Sequence, residues 1–364
     1  MALKYLAGER IIGTAAERAA MSTALIPATT NPHWQILGRA TANGSTALSD
    51  TGVFTAKDYI MIIVNGWGTS GEEYQLNFND QTYLSGSGQY NTRYNYTTGS
   101  ADSTSQANWN LFRLQIEGGS GTRGGGYIGT FNNQSGQEKY GDGWSVRRLD
   151  GGASQAVEMN VFAHQWEGTD QITRCKLTYE GNDLATPSEI VVLGYNASDT
   201  TGTAAWELLK DYDLPSDGDT FASGSFTAKK YLWIQTKLND TGGTIYPRMS
   251  FNSDNSGGNY AFRMSKNGGA YAGGQSQNTI ADFMDATACP IFINTYIINN
   301  ASKEKAVLSK AIGRGSTTES GEVNRSEVGA KWSDTSNQVT QVVFENTGAG
   351  SFEAGSNIKV WGFD

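Results

Sequence analysis

Residues able to carry acid–base or nucleophilic chemistry are few in this chain. Among 364 residues there are two histidines, His33 and His164, and two cysteines, Cys175 and Cys289. A catalytic triad or a His-rich metal site needs several such groups brought together, and neither histidine has a carboxylate or nucleophile partner nearby in sequence. Glycoside hydrolysis, the commonest chemistry on β-sandwich scaffolds, needs two carboxylates flanking the bond. The nearest candidates are Glu117 in "LQIEGG" and Glu158 in "AVEMNVF", and each stands alone. The chain is therefore expected not to be an enzyme, and no cofactor is assigned.

Both cysteines read as packing residues. In "ITRCKLTY" (172–179) the alternation puts Thr173, Cys175, Leu177 and Tyr179 on one strand face, with Arg174 and Lys176 on the other. Cys289 precedes Pro290 and the apolar run "IFINTYII". Asp/Asn-rich stretches at 252–259 ("NSDNSGGN") and 140–144 ("YGDGW") lack the ligand spacing of a calcium loop and read as turns. No metal is assigned. His33 and His164 are expected at a surface or an interface.

Aromatic residues on polar, glycine-rich stretches are the binding candidates. Trp67 sits between glycines in "NGWGTSG", and Tyr83, Tyr90, Tyr94 and Tyr96 lie on "YLSGSGQYNTRYNYTTG". Flat rings beside Asn and Arg suit sugar stacking or a protein contact. The competing reading is that they pin long loops to the fold.

The elements that must position these residues are strands. Forty-five glycines, 17 tyrosines and only 6 prolines suit an all-β protein with many tight turns. The tetrapeptide Phe-Thr-Ala-Lys occurs at 54–57 and again at 226–229. At that offset, residues 34–57 match 206–229 at seven of 24 positions, beginning with Trp34 on Trp206; background composition gives about one or two. Further downstream, "LNFND" (76–80) faces "MSFNS" (249–253), Trp166 faces Trp332, and "SEIVVLGYN" (188–196) faces "SNIKVWGFD" (356–364). Cys175 falls on Val342, His33 on Ala205 and His164 on Ala330. The expected architecture is two tandem duplicated jelly-roll-like β-sandwich domains, 28–197 and 198–364, preceded by an N-terminal arm, 1–27. "YIMIIV" (59–64) reads as a strand covered on both faces. Helical patterning is confined to 14–21 and 279–286.

The arm carries an apolar set, Leu3, Tyr5, Leu6, Ile11 and Ile12, suited to docking on another subunit. Glu9, Arg10, Glu17 and Arg18 interrupt the apolar core that a signal peptide needs, so the arm is expected to be retained in a cytosolically made protein. A formal charge of −9 without a basic run argues against a nucleic-acid partner, and no stretch is long enough to span a bilayer as a helix.

With "LKYLAGERIIGTAAERAAM" at one end and modules rich in Gly, Asn, Thr and Tyr with "FTAKKYLWIQ"-type strands, the chain resembles virion structural proteins of marine tailed phages and related environmental viruses. The resemblance implies a non-enzymatic component on the particle exterior, made in the host cytoplasm: a capsid-decoration or appendage subunit. Its partners would be other capsid or tail proteins and its own copies, attached through protein–protein contacts. The alternative is a host-glycan-binding adhesin or tail-fibre module.

Overall fold

The computed structural model describes residues 33–364 apart from 46–47, 69–72, 81–89, 99–100, 110, 118–122, 150, 180–182, 200–201, 281–282, 285, 288–289 and 315–322. The described residues form strands joined by turns, with no helix. The first half contains β1 (Gln35–Thr41), β2 (Leu48–Asp50), β3 (Tyr59–Gly68), β4 (Glu73–Phe78), β5 (Tyr90–Thr98) and β6 (Ala101–Trp109). It continues through β7 (Phe112–Glu117), β8 (Arg123–Asn132), β9 (Lys139–Leu149), β10 (Glu158–Trp166), β11 (Cys175–Tyr179) and β12 (Glu189–Tyr195). The second half contains β13 (Glu207–Asp213), β14 (Thr220–Ala222), β15 (Tyr231–Leu238), β16 (Thr244–Ile245), β17 (Pro247–Phe251), β18 (Tyr260–Lys266) and β19 (Ala272–Gln277). Then follow β20 (Ala286–Thr287), β21 (Ile291–Ile298), β22 (Lys305–Arg314), β23 (Val323–Trp332), β24 (Val342–Asn346) and β25 (Asn357–Phe363).

Each half is a two-sheet sandwich through which the chain passes repeatedly from one sheet to the other, as in jelly rolls. The large sheet of the first half runs β1-β12-β3-β8-β9-β10-β5-β6, and its small sheet β2-β11-β4-β7. The second half runs β13-β25-β15-β21-β22-β23-β18-β19 and β14-β24-β17. Counterpart for counterpart, the two large sheets have the same strand order. The place of β7 is taken in the second half by Ile280, which exchanges backbone hydrogen bonds with Met249 (3.0 and 2.8 Å). This corrects the expected helical stretch over 279–286, whose described residues run along a sheet edge instead.

Small fittings repeat as well. Asn79 and Asn252 both adopt φ of 52°, the left-handed region Asn tolerates. Asn79 Oδ1 accepts from the backbone of Thr173 and Arg174, and Asn252 Oδ1 from Thr340 and Gln341. Asn133 ties Lys57 O to Ile172, as Asn299 ties Lys229 O to Val339. A Cβ on Gly194 would meet Leu37 and Lys57, and one on Gly362 would meet Leu209 and Lys229. The FTAK lysines thus lie over matching glycines, and Phe54 and Phe226 of the same tetrapeptides are buried.

The cores explain the sequence of β3. Ile60, Ile62 and Val64 enter the sandwich core of the first half. Met61 and Ile63 point the other way, into a third cluster shared with Tyr231, Ala261, Ile298, Ala306, Leu308 and Phe363 of the second half. The two large sheets therefore pack against each other, with β9 against β22 and β10 against β23. The second cover expected for "YIMIIV" is the other half of the molecule.

Polar groups fasten this junction. Glu189, only 3% exposed, accepts from Lys230 Nζ (2.6 Å) and the Tyr231 hydroxyl, with Arg39 Nε at 3.6 Å. Burial pushes its carboxyl up, but these three partners outweigh that and hold it below the usual range. Asn65 and Asn300 hydrogen-bond reciprocally at 3.4 and 3.1 Å. Glu304 pairs with Lys331 (3.1 Å) and accepts from Gly152 N (2.7 Å).

Candidate functional site

Trp67 and Tyr90 do not lie on the binding surface expected of them. Trp67 is buried within the junction, its Nε1 donating to Asn65 Oδ1 (2.7 Å) and the Lys303 ammonium 4.5 Å from the ring centroid. The glycines around it mark steric room rather than a turn: a Cβ on Gly124 would lie 2.6 Å from the Trp67 ring, and one on Gly66 2.9 Å from Tyr74. Tyr90 is also a core residue, its hydroxyl accepting from Phe78 N (3.1 Å), as Tyr260 accepts from Phe251 N (2.9 Å). Tyr94 is half-buried, packed 5.8 Å from Phe162. Tyr83, the side chain of Tyr96, Cys289 and the arm residues Leu3, Tyr5, Leu6, Ile11 and Ile12 lie outside the described residues.

His164 departs from its expected surface position. It is buried, stacked 5.1 Å from Phe162 and 5.7 Å from Phe131, and burial drives its pKa down to about 3. Cys175 is buried as expected, and burial raises its thiol well above the ordinary range. Glu158 is 1% exposed and ion-paired with Arg147 and Arg148. "YGDGW" lies inside β9 rather than in a turn. Asp254 of "NSDNSGGN" accepts from Trp332 Nε1 (2.7 Å) and Asn259 Nδ2, which fixes that turn to the core. No group of three or more metal-ligating His, Cys, Asp or Glu occurs among the described residues.

The exposed aromatic surface lies at the seam between the halves. Tyr59 of β3 and Tyr195 of β12 are paired in the ladder and stack at 5.1 Å, 19° between planes. Trp34 meets Tyr195 edge-on at 4.8 Å. Together with Thr130, Asn132, Tyr140 and Asp142 they line a depression of about 450 Å³. A second depression of about 380 Å³ shares Trp34 and Tyr195 and adds His33, Trp206, Trp233 and Trp361. On that wall Trp233 stacks on Tyr296 (5.9 Å, 10°) and packs 5.1 Å from Trp361. The result is one aromatic cleft with walls from both halves.

The repeat shows what is unusual here. Trp34, Tyr59 and Tyr195 correspond to Trp206, Tyr231 and Phe363, whose rings repeat the geometry at 4.7 Å (86°) and 4.9 Å (29°). In the second half Arg39 lies over Phe363 and Glu189 accepts from Tyr231, leaving these two rings 5% and 1% exposed, while Trp206 stays half-buried beside the second depression. In the first half Tyr59 is 39% exposed and Tyr140 56%. The tyrosine and its stacking partner are covered in the second half and open in the first.

Polar groups lie beside the open trio. Tyr140 OH donates to Glu138 Oε2 (2.8 Å), which also accepts from Gln165 Nε2 (2.8 Å). These two bonds, Gln165 foremost, hold the Glu138 carboxyl below the usual range. Sequence reasoning used Trp34 and Tyr195 only as repeat landmarks; the alternation of Trp233 in "YLWIQ" and Trp361 in "KVWGF" was the signal that could have placed rings on an outward sheet face.

No family model and no curated protein matches the chain. Among solved structures it is similar to the mouse laminin alpha1 chain, domains LG4-5, at 9% identity, with 90% of this chain and 86% of that chain covered and a TM-score of 0.18.

Proposed function

We propose that the chain is a non-enzymatic surface component of a virion, built from one duplicated sandwich domain, and that its working surface is the aromatic cleft, which takes a glycan. The virion assignment rests on the resemblance of the arm and modules to phage structural proteins, with the arm serving as the anchor to capsid or tail. The glycan assignment rests on one observation: the stacked pair Tyr59 and Tyr195 stays open beside Trp34 while the matching pair Tyr231 and Phe363 is covered. Stacked rings with adjacent amides and hydroxyls are what recognition of a sugar requires, since a pyranose offers an apolar C–H face and a polar edge.

Two measurements test this. Glycan-array screening, followed by titration of tryptophan fluorescence with the hits, should show saturable binding that falls at least ten-fold in Tyr59→Ala, with the melting temperature little changed. An empty array, or binding indifferent to Tyr59→Ala, removes the cleft from consideration. Mass spectrometry and immunogold labelling of purified particles should find the chain on the exterior. Its absence from particles overturns the virion reading and leaves the cleft untouched.

A further inference from the structure

We infer that the cleft is one end of an extended subsite row for a neutral, linear polysaccharide lying across the strands of the first large sheet. This deepens the glycan reading and rests on it. Ladder register pairs Tyr195 of β12 with Tyr59 of β3 and Tyr59 with Asn132 of β8, and Tyr140 of β9 with Gln165 of β10 and Gln165 with Asn91 of β5. Tyr140 N donates to Asn132 Oδ1 (2.5 Å) and joins the two runs into one rung. At about 4.8 Å between neighbouring strands the rung is about 24 Å long, several sugar units rather than one. Hydrogen bonds show that its far end shares one face: Gln165 Nε2 donates to Tyr140 OH (3.3 Å), and Asn91 Nδ2 donates to Gln165 Oε1 (3.2 Å) and Glu167 Oε1 (3.2 Å).

The composition of the rung sets the ligand class. The Tyr59–Tyr195 stack and the exposed ring of Tyr140 give apolar contact positions, and the amides of Asn132, Gln165 and Asn91 between and beyond them supply donors and acceptors for hydroxyls. The charges alongside are the carboxylates of Glu138, Asp142 and Glu167, against two cations, Arg93 on β5 and Lys310, which stands on Trp144 and acts on Asp142. A uronate or sulfated chain would meet net like charge, which costs affinity and slows encounter. A row open along its length also binds the interior of a chain, so a free terminus is not required.

The probes are neutral gluco-, manno- and galacto-oligosaccharides of one to eight units, with oligogalacturonates as the charged comparison, titrated by calorimetry. For the series that binds, affinity should rise at least ten-fold from disaccharide to hexasaccharide and then level off. Reduction of the terminal sugar should change it less than two-fold. The variant Asn91→Ala, at the end of the rung remote from the cleft, should weaken the hexasaccharide about three-fold and leave the disaccharide unchanged. Equal affinity for mono- and hexasaccharide, or loss on terminal reduction, overturns the extended row while the cleft remains a sugar site. Tighter binding of oligogalacturonate overturns the neutral class. If no sugar of any length binds the wild type, the cleft reading itself fails.

Discussion

Lys139 stands over Trp166, its ammonium 5.8 Å from the ring centroid and donating to the backbone carbonyls of Gln134, Gln137, Gly168 and Thr169. Lys305 repeats the arrangement over Trp332 at 5.8 Å, donating to Lys303 O and Asp334 O (2.8 Å each). Each lysine closes the end of a sandwich by satisfying carbonyls that no strand reaches.

Burial lowers the Lys305 pKa to about 8. The folded state then releases this proton before the unfolded state does, so between about pH 8 and 10.5 the unfolded chain binds more protons and stability rises with pH. Below about pH 8 both states are charged and the contribution is flat. Urea midpoints between pH 7 and 10 should show this rise in the wild type and a smaller one in Lys305→Met. Superimposable curves would show that the carbonyl cage and the ring keep the ammonium charged throughout.

His164 works in the opposite range. Held neutral to about pH 3 by burial, it is protonated in the unfolded chain from about pH 6.5 downward. Its neutral burial is therefore costless above pH 6.5, and stability falls as the pH drops from there toward 3, by roughly 3 kcal/mol at pH 4. His164→Phe, which keeps a ring among Phe112, Phe131 and Phe162, should flatten that acid limb. An unchanged limb would place the acid sensitivity elsewhere.

The strand content, the matching order of the two large sheets and the packed face of Cys175 were legible because they depend on local periodicity and on matches between halves. Trp67 was misread because a glycine-flanked ring reads as a turn, whereas Gly124 gives that ring space inside a sheet. Tyr90 was misread because a polar stretch hides the single ring of β5 whose hydroxyl is tied to Phe78 N in the core. The Tyr90–Tyr260 equivalence was hidden because 12 residues separate Phe78 from Tyr90 and nine separate Phe251 from Tyr260. The cleft was not legible at all, since it needs one half to lie across the other and leave one aromatic trio uncovered.

Glu189 couples the halves. Glu189→Ala leaves Lys230 and Arg39, 24% and 33% exposed, without their shared carboxylate and should cost about 1–3 kcal/mol. In the double variant with Lys230→Met, much of that loss should return, giving a coupling energy above about 1 kcal/mol in a double-mutant cycle. Strict additivity would mean the pair contributes nothing beyond packing.

Cys175 should resist a thiol reagent in the native protein, reacting only at the rate of unfolding, because its thiol is buried and its pKa raised. Cys175→Val should lie within about 1.5 kcal/mol of wild type, since volume is nearly kept. Quick labelling at this position under native conditions would contradict the packing shown here.

The pairing of β1 with β12 has a kinetic consequence. Gln35 must wait for Gly194, about 160 residues later, before its sheet edge can close. At synthesis rates of about 5–20 residues per second that wait lasts roughly 8–30 s, and the second half repeats it between Glu207 and Gly362. Met61, Ile63 and Leu193, which end up against the second half, cannot be fully covered until β25, which carries Phe363 of the same cluster, has been made. The interval of exposed apolar surface is thus set by translation of the second half, however quickly the first half folds.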